Sequence, residues 1–182
     1  MWQPVWRHWR MGLLFAVLGC TVGVTAQTSL TESQAKASAL FNFARYVEWP
    51  ERAFPLSDSP FVFCLAGRDS LASVLALIEG RTLHGRSTKV RRVLGAEELR
   101  GCHVLYVAES EERRLVPMLR SVAGEPVLSV GDFAGFLDAG GAIGVELEDG
   151  RIRFDINRTA LDQAQLRASS NLLRLARSGR QP

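Results

Sequence analysis

The segment Ala39-Leu40-Phe41-Asn42-Phe43-Ala44-Arg45-Tyr46-Val47-Glu48-Trp49-Pro50 constrains this chain more than any other. At helical spacing Leu40, Phe41, Ala44 and Val47 share one face, which a core would take up. Asn42, Arg45, Tyr46 and Glu48 lie off that face. Pro50 disfavours the helical region for Trp49, so the helix should stop there. The indole is then left at a chain reversal, able to pack and still present its N–H. Thr31 and Gln34 have the spacing of a capping box and predict the helix start.

Beyond this helix the pattern alternates. Phe61–Ala66 and His103–Ala108 are continuous apolar runs, which suit strands covered on both faces. Between them Leu71, Val74, Leu75 and Ile78 predict a helix over Ser70–Glu79, stopped by Gly80. Thr88–Val93 reads as a strand, and Ala96–Arg100 as at most two helical turns. Pro117 is tolerated only in a first turn, which places the next helix near 115–122. Pro126–Val130 is a strand, and Asp132 is a candidate cap for a short helix Phe133–Asp138. Ala142–Leu147 and Arg151–Ile156 form a hairpin around Asp149-Gly150, a dipeptide that accepts positive φ. A short helix near 158–164 and a last helix, Ser170–Arg177 capped by Ser169, complete the chain. The expected fold is an α/β sandwich with a mixed, mainly parallel sheet, helices on both faces and a late antiparallel hairpin.

Residues 1–26 have the form of a secretory signal. Arg7, His8 and Arg10 precede the apolar stretch Met11–Leu18, and Val24-Thr25-Ala26 supplies small residues for cleavage. The apolar stretch is short for a membrane span. Val17-Leu18-Gly19-Cys20 offers the alternative of a lipid anchor through Cys20. Residues 27–182 are then expected to form a single exported domain. Loss of the leader removes Arg7 and Arg10, and with them most of the formal net charge of +3. No basic footprint for nucleic acid is left. The C-terminal Arg167, Arg174, Arg177 and Arg180 read as a solvated helix face.

Of three cysteines, Cys64 and Cys102 remain after processing. An oxidising compartment makes a disulfide the default for such a pair, with two buried thiols or a reactive thiol as alternatives. A metal site is disfavoured, since Cys102 and His103 are neighbours and point to opposite faces of a strand. No nucleophile elbow, zinc-protease helix or phosphate loop occurs. His84 reads as a turn residue and His103 as a packed one. No catalytic residue, cofactor or metal is assigned. Gly140-Gly141-Ala142-Ile143-Gly144 leads into a strand, which is the wrong context for a phosphate cradle. A ligand crevice is expected instead at the carboxyl ends of the parallel strands. Gly67-Arg68-Asp69 and Gly131-Asp132-Phe133 lie there, making Arg68 and Asp132 binding candidates.

The aromatic segment resembles the opening helix of the YfiR family, and the resemblance continues in order. Phe61–Gly67 is similar to the family's first strand, and Leu99-Arg100-Gly101-Cys102-His103 to its Leu-x-Gly-Cys-His strand entry. Pro126–Gly131, Gly140–Gly144, Arg153–Asn157 and Ser169–Ala176 follow. The resemblance covers roughly residues 35 to 177. It implies a periplasmic regulatory protein, not an enzyme, that represses an inner-membrane diguanylate cyclase by contacting its periplasmic sensor domain. It also implies release by an outer-membrane lipoprotein. Asn42, Arg45, Tyr46, Glu48 and Trp49 are candidate contact residues. A small ligand and a homodimer stay open, as does the rival reading of a small-molecule-binding module serving another receptor or transporter.

Overall fold

The computed structural model describes residues 24–177, 179 and 180. Residues 1–23 of the expected leader, Cys20 among them, lie outside the described residues. Helix α1 spans Val24–Tyr46 and is followed by the two-residue strand β1, Val47–Glu48. Thr31 is therefore interior to α1 rather than its cap, and the expected cleavage point after Ala26 falls within the helix. The buried stripe of α1 is Ala37, Leu40, Phe43 and Ala44, continued by Val47. Phe41, expected in the core, sits at its flank. It stacks on Phe63 at 6.5 Å between ring centres, with the Arg81 guanidinium 4.6 Å above it. Phe43 takes the deeper place, 4.8 Å from the Phe154 ring. The cause is that α1 is wedged between neighbours, so aromatic rings on both flanks of the stripe find partners.

The strands that follow are β2 (Phe61–Ala66), β3 (Thr82–Leu83), β4 (Arg86–Val93), β5 (Val104–Val107) and β6 (Leu128–Gly131). The hairpin strands β7 (Ile143–Glu148) and β8 (Arg151–Asn157) come next, then β9 (Arg167–Ala168) and β10 (Gly179–Arg180). Eight of the ten form one sheet in the order β10-β8-β7-β6-β5-β2-β4-β3, and β1 pairs with β9 in a small second sheet. β4, β2, β5, β6 and β7 are mutually parallel, and β7–β8 is the antiparallel hairpin. Asp149 and Gly150 turn it with φ of 49° and 72°. His84 and Gly85 turn a second hairpin, β3–β4, at 49° and 74°.

β5 and β6 are buried along their whole length and β2 at all but one position, because both faces are covered. One face carries α1, α2 (Leu71–Leu75), α4 (Arg158–Gln163) and α5 (Ser170–Leu175), whose buried residues join Phe61, Phe63, Leu65 and Tyr106. The other carries α3 (Leu115–Ser121) and packs Leu115, Met118 and Phe136 against Ala66, Leu105 and Val107. α2 is shorter than expected; Ala76–Ile78 tightens into a 3-10 turn but keeps Ile78 buried. Asn157 and Ser169 cap α4 and α5 through their side-chain oxygens.

Phe133–Asp138 is a series of turns rather than a helix, so Asp132 caps nothing. Gly135 adopts φ of 80° there. The loop is organised by Phe136, whose ring is clamped between Gly131 and Gly141. A Cβ on either glycine would stand 2.4 and 2.1 Å from the ring. Arg177 also departs from the helix-face reading. α5 ends at Leu175, and Arg177 reaches back over the hairpin to Glu146, Glu148 and Asp155.

Candidate functional site

β2 has β4 on one side and β5 on the other, so the order of strand addition reverses between β2 and β5. Loops leaving such a pair of strands diverge and open a crevice at their carboxyl ends. Here the crevice encloses about 530 Å³ and is lined by Glu32, Lys36, Arg68, Asp69, Ser110 and Asp132, among others. Arg68 and Asp132, named from the sequence, are thus brought together. Gly67 opens the loop with φ of 96°. A Cβ there would stand 2.6 Å from Ser110 Oγ and 3.1 Å from Ala108 Cβ, so only glycine lets the two loops meet. Ser110 Oγ then accepts the Arg68 amide at 2.9 Å.

Two hydrogen-bonded groups line the crevice. Asp69 accepts the Leu71 amide at 2.7 Å through one oxygen and the Tyr106 hydroxyl at 2.8 Å through the other. Tyr106 is buried in β5. Burial, followed by the charges of Asp132 and Asp69, pushes its hydroxyl far above the usual tyrosine range, so it stays a donor. Asp132 bonds Lys36 at 2.5 Å, and Lys36 reaches Glu32 at 2.6 Å. Burial works against the Lys36 ammonium, but its bonds to Asp132 and Glu32 outweigh it and the pKa rises. The sequence did not single out Lys36 or Tyr106. The available signal was a phenol within an apolar strand, since a buried hydroxyl requires a partner.

The other candidates lie toward the carboxyl end of α1. Asn42, Arg45, Tyr46 and Glu48 are exposed and form a polar flank beside β1. Trp49 is half-buried. Its N–H donates to Pro126 O at 2.9 Å and its ring meets Phe61 edge-on at 4.9 Å. The indole N–H is therefore used within the chain rather than presented. His84 donates from Nε2 to Ala44 O at 2.8 Å, satisfying a carbonyl of the last turn of α1.

Cys64 in β2 and Cys102, just before β5, are joined by a disulfide with Cα atoms 5.8 Å apart. Both are buried, and the Arg91 guanidinium rests on them at 3.6 and 3.4 Å while donating to Arg100 O. His103 is a packed residue. Nδ1 accepts the Val62 amide at 3.0 Å, Nε2 donates to Ala53 O at 3.1 Å, and the ring stacks on Phe54 and Phe61. Burial holds its pKa down at about 4, helped by the nearby Arg86 charge and opposed by the Ala53 bond. Among the described residues no three histidine, cysteine or carboxylate side chains are grouped so that they could hold a metal ion.

Residues 33–177 match the profile of the family described as YfiR/HmsC-like, from α1 through α5. The chain belongs to the YfiR/HmsC-like family. YfiR/HmsC-like proteins are periplasmic regulators of cyclic di-GMP signalling, and the family is regulatory rather than enzymatic. Among the described residues no helix is long and apolar enough to cross a membrane. In this YfiR/HmsC-like chain Cys102 and His103 both belong to the strand entry that precedes β5, and both are buried.

Proposed function

We propose that this domain represses an inner-membrane diguanylate cyclase by stoichiometric contact with the cyclase's periplasmic sensor region, lowering cyclic di-GMP. The reading is supported by the family match across the folded domain. It accords with a site built for holding rather than reacting. The Tyr106 hydroxyl is held by Asp69 and the Lys36 ammonium by Asp132 and Glu32, and both cysteines are closed in a disulfide. Repression then requires only that the domain bind the inactive sensor conformation better than the active one. The polar flank Asn42, Arg45, Tyr46 and Glu48, beside the anchored Trp49, is the contact surface. Its charged rim allows release by a competing partner, an outer-membrane lipoprotein in this scheme.

The test is binding of the domain, with its disulfide intact, to the isolated sensor region of a cyclase encoded beside it. Charge reversal by Arg45→Glu with Glu48→Arg should weaken binding and leave the unfolding midpoint unchanged. Unaltered binding would remove the α1 flank from the interface. No binding by the unaltered domain would count against cyclase repression.

The crevice supports a second reading, a small-molecule-binding module. Glu32, Asp69, Glu109 and Asp132 outnumber Lys36 and Arg68 there, so it suits a cationic or mixed-charge ligand better than a phosphate. Calorimetric titration with small polyamines and zwitterions, repeated on Asp69→Asn, checks this reading.

A further inference from the structure

β4 has a neighbour on one side only for most of its length. It pairs with β2 from Thr88 to Val93, whereas β3 on the other side covers only Arg86 and Ser87. Successive residues of such a strand direct their main-chain groups to alternate sides. Thr88 sets the phase. Its N–H donates to Arg81 O at 2.8 Å and its carbonyl accepts from the Gly80 amide at 2.9 Å, both outside the β2 pairing. Val90 and Arg92 therefore turn their N–H and C=O outward too. Among the described residues these groups meet no partner. At Leu94 the next outward N–H is taken by the Glu98 carboxylate at 3.1 Å. The edge is thus open at Val90 and Arg92, closed on one side by the Gly80–Arg81 turn and on the other by a carboxylate.

The side chains around this window are basic. Lys89, Arg91, Arg92 and Arg100 are exposed, and none of them joins an ion pair among the described residues. Basic side chains on a free edge keep identical edges apart. A second copy offering the same strand would set these cations against their counterparts. The same charge draws in an acidic strand, and Glu98 on the Leu94 amide is an internal instance of a carboxylate on this edge.

We propose that the free edge of β4, centred on Val90 and Arg92, docks an extended acidic segment of a partner protein as an added strand. Backbone pairing at the two open residues supplies the register, and carboxylates facing Lys89, Arg92 and Arg100 supply the selectivity. The inference rests on the reading that the domain works by contact, and it places a second contact surface away from the α1 flank.

The experiment is amide hydrogen exchange on the isotopically labelled, disulfide-intact domain with two blocked peptides. One alternates Glu and Thr and the other alternates Lys and Thr. The acidic peptide should slow exchange at Val90 and Arg92 about tenfold, with the basic peptide leaving both unchanged. Lys89→Glu with Arg92→Glu should abolish the protection without moving the unfolding midpoint. Equal protection by both peptides, or none by either, would overturn the proposal. Protection of the same amides on raising protein concentration alone would assign the edge to a second copy and overturn it as well. None of these outcomes depends on cyclic di-GMP, so a failure here is distinct from a failure of the repressor reading.

Discussion

Lys36, midway along α1, is bonded to Asp132, which follows β6 and lies 96 residues further on, at 2.5 Å. Both side chains are largely buried in the wall of the crevice. This bond ties α1 across the sheet to the strand end where the loops diverge. Asp132→Asn should therefore destabilise the domain by about 2 kcal/mol, the size expected for a hydrogen bond to a charged group. Urea denaturation should show a lower midpoint at unchanged slope. An unchanged midpoint would mean that Glu32 alone satisfies Lys36.

The disulfide gives a redox prediction. Its two cysteines are 38 residues apart in sequence, and closing a loop of that size restricts the unfolded chain by about 4 kcal/mol. Protein prepared from an oxidising compartment should be lighter by the two thiol hydrogens than its reduced form. Cys64→Ser with Cys102→Ser should lower the unfolding free energy by a comparable amount. Two freely alkylated thiols in the native protein would exclude the bond.

The clamp on Phe136 predicts an intolerance at one glycine. Gly141→Ala would place its Cβ 2.1 Å from the ring and so force Phe136 out of a packed position. A loss of about 1–3 kcal/mol follows, as in other overpacked cores. Gly135→Ala is a control for space, since a Cβ there meets nothing within 4 Å, though its positive φ still adds strain. Thermal unfolding of the two variants, with Gly141→Ala the less stable, checks the clamp.

His103 predicts a pH effect of definite sign. Its pKa is held at about 4 in the folded domain, below the ordinary value near 6.5. The unfolded chain therefore takes up a proton first as pH falls. Stability should drop between about pH 6.5 and 4, by about 3 kcal/mol in total from this residue. Unfolding free energies of the parent and His103→Asn, measured across that range, should differ most in slope. Identical slopes would contradict a buried neutral imidazole.

Much of the fold was legible because it rests on local patterns. The buried runs Phe61–Ala66 and Val104–Val107, the Asp149-Gly150 turn and the Ser169 cap each carry their own signal. What escaped depends on partners distant in sequence. Nothing near Phe41 or Phe43 says which is deeper, since Phe154 and Phe63 decide it. The turns after Asp132 look helical until Phe136 is seen clamped between Gly131 and Gly141, a packing that helical spacing does not encode. Arg68 and Asp132 were placed at strand ends correctly, but Lys36 and Tyr106 join them only through tertiary packing. The N–H of Trp49 was expected free and is spent on a carbonyl 77 residues away.

That last bond predicts that Trp49 is an anchor as well as a neighbour of the proposed contact flank. Trp49→Phe keeps much of the ring and removes the donor, leaving Pro126 O without it. A loss of about 1–2 kcal/mol is expected from chemical denaturation. A neutral result would show that water replaces the indole there.

The most direct test of the proposed repression is the cellular level of cyclic di-GMP in a strain lacking this gene and expressing a membrane diguanylate cyclase encoded beside it. The level should rise on deletion. It should fall again when the protein is supplied with residues 1–26 and stay high when it is made without them. An unchanged level on deletion would contradict repression of the cyclase.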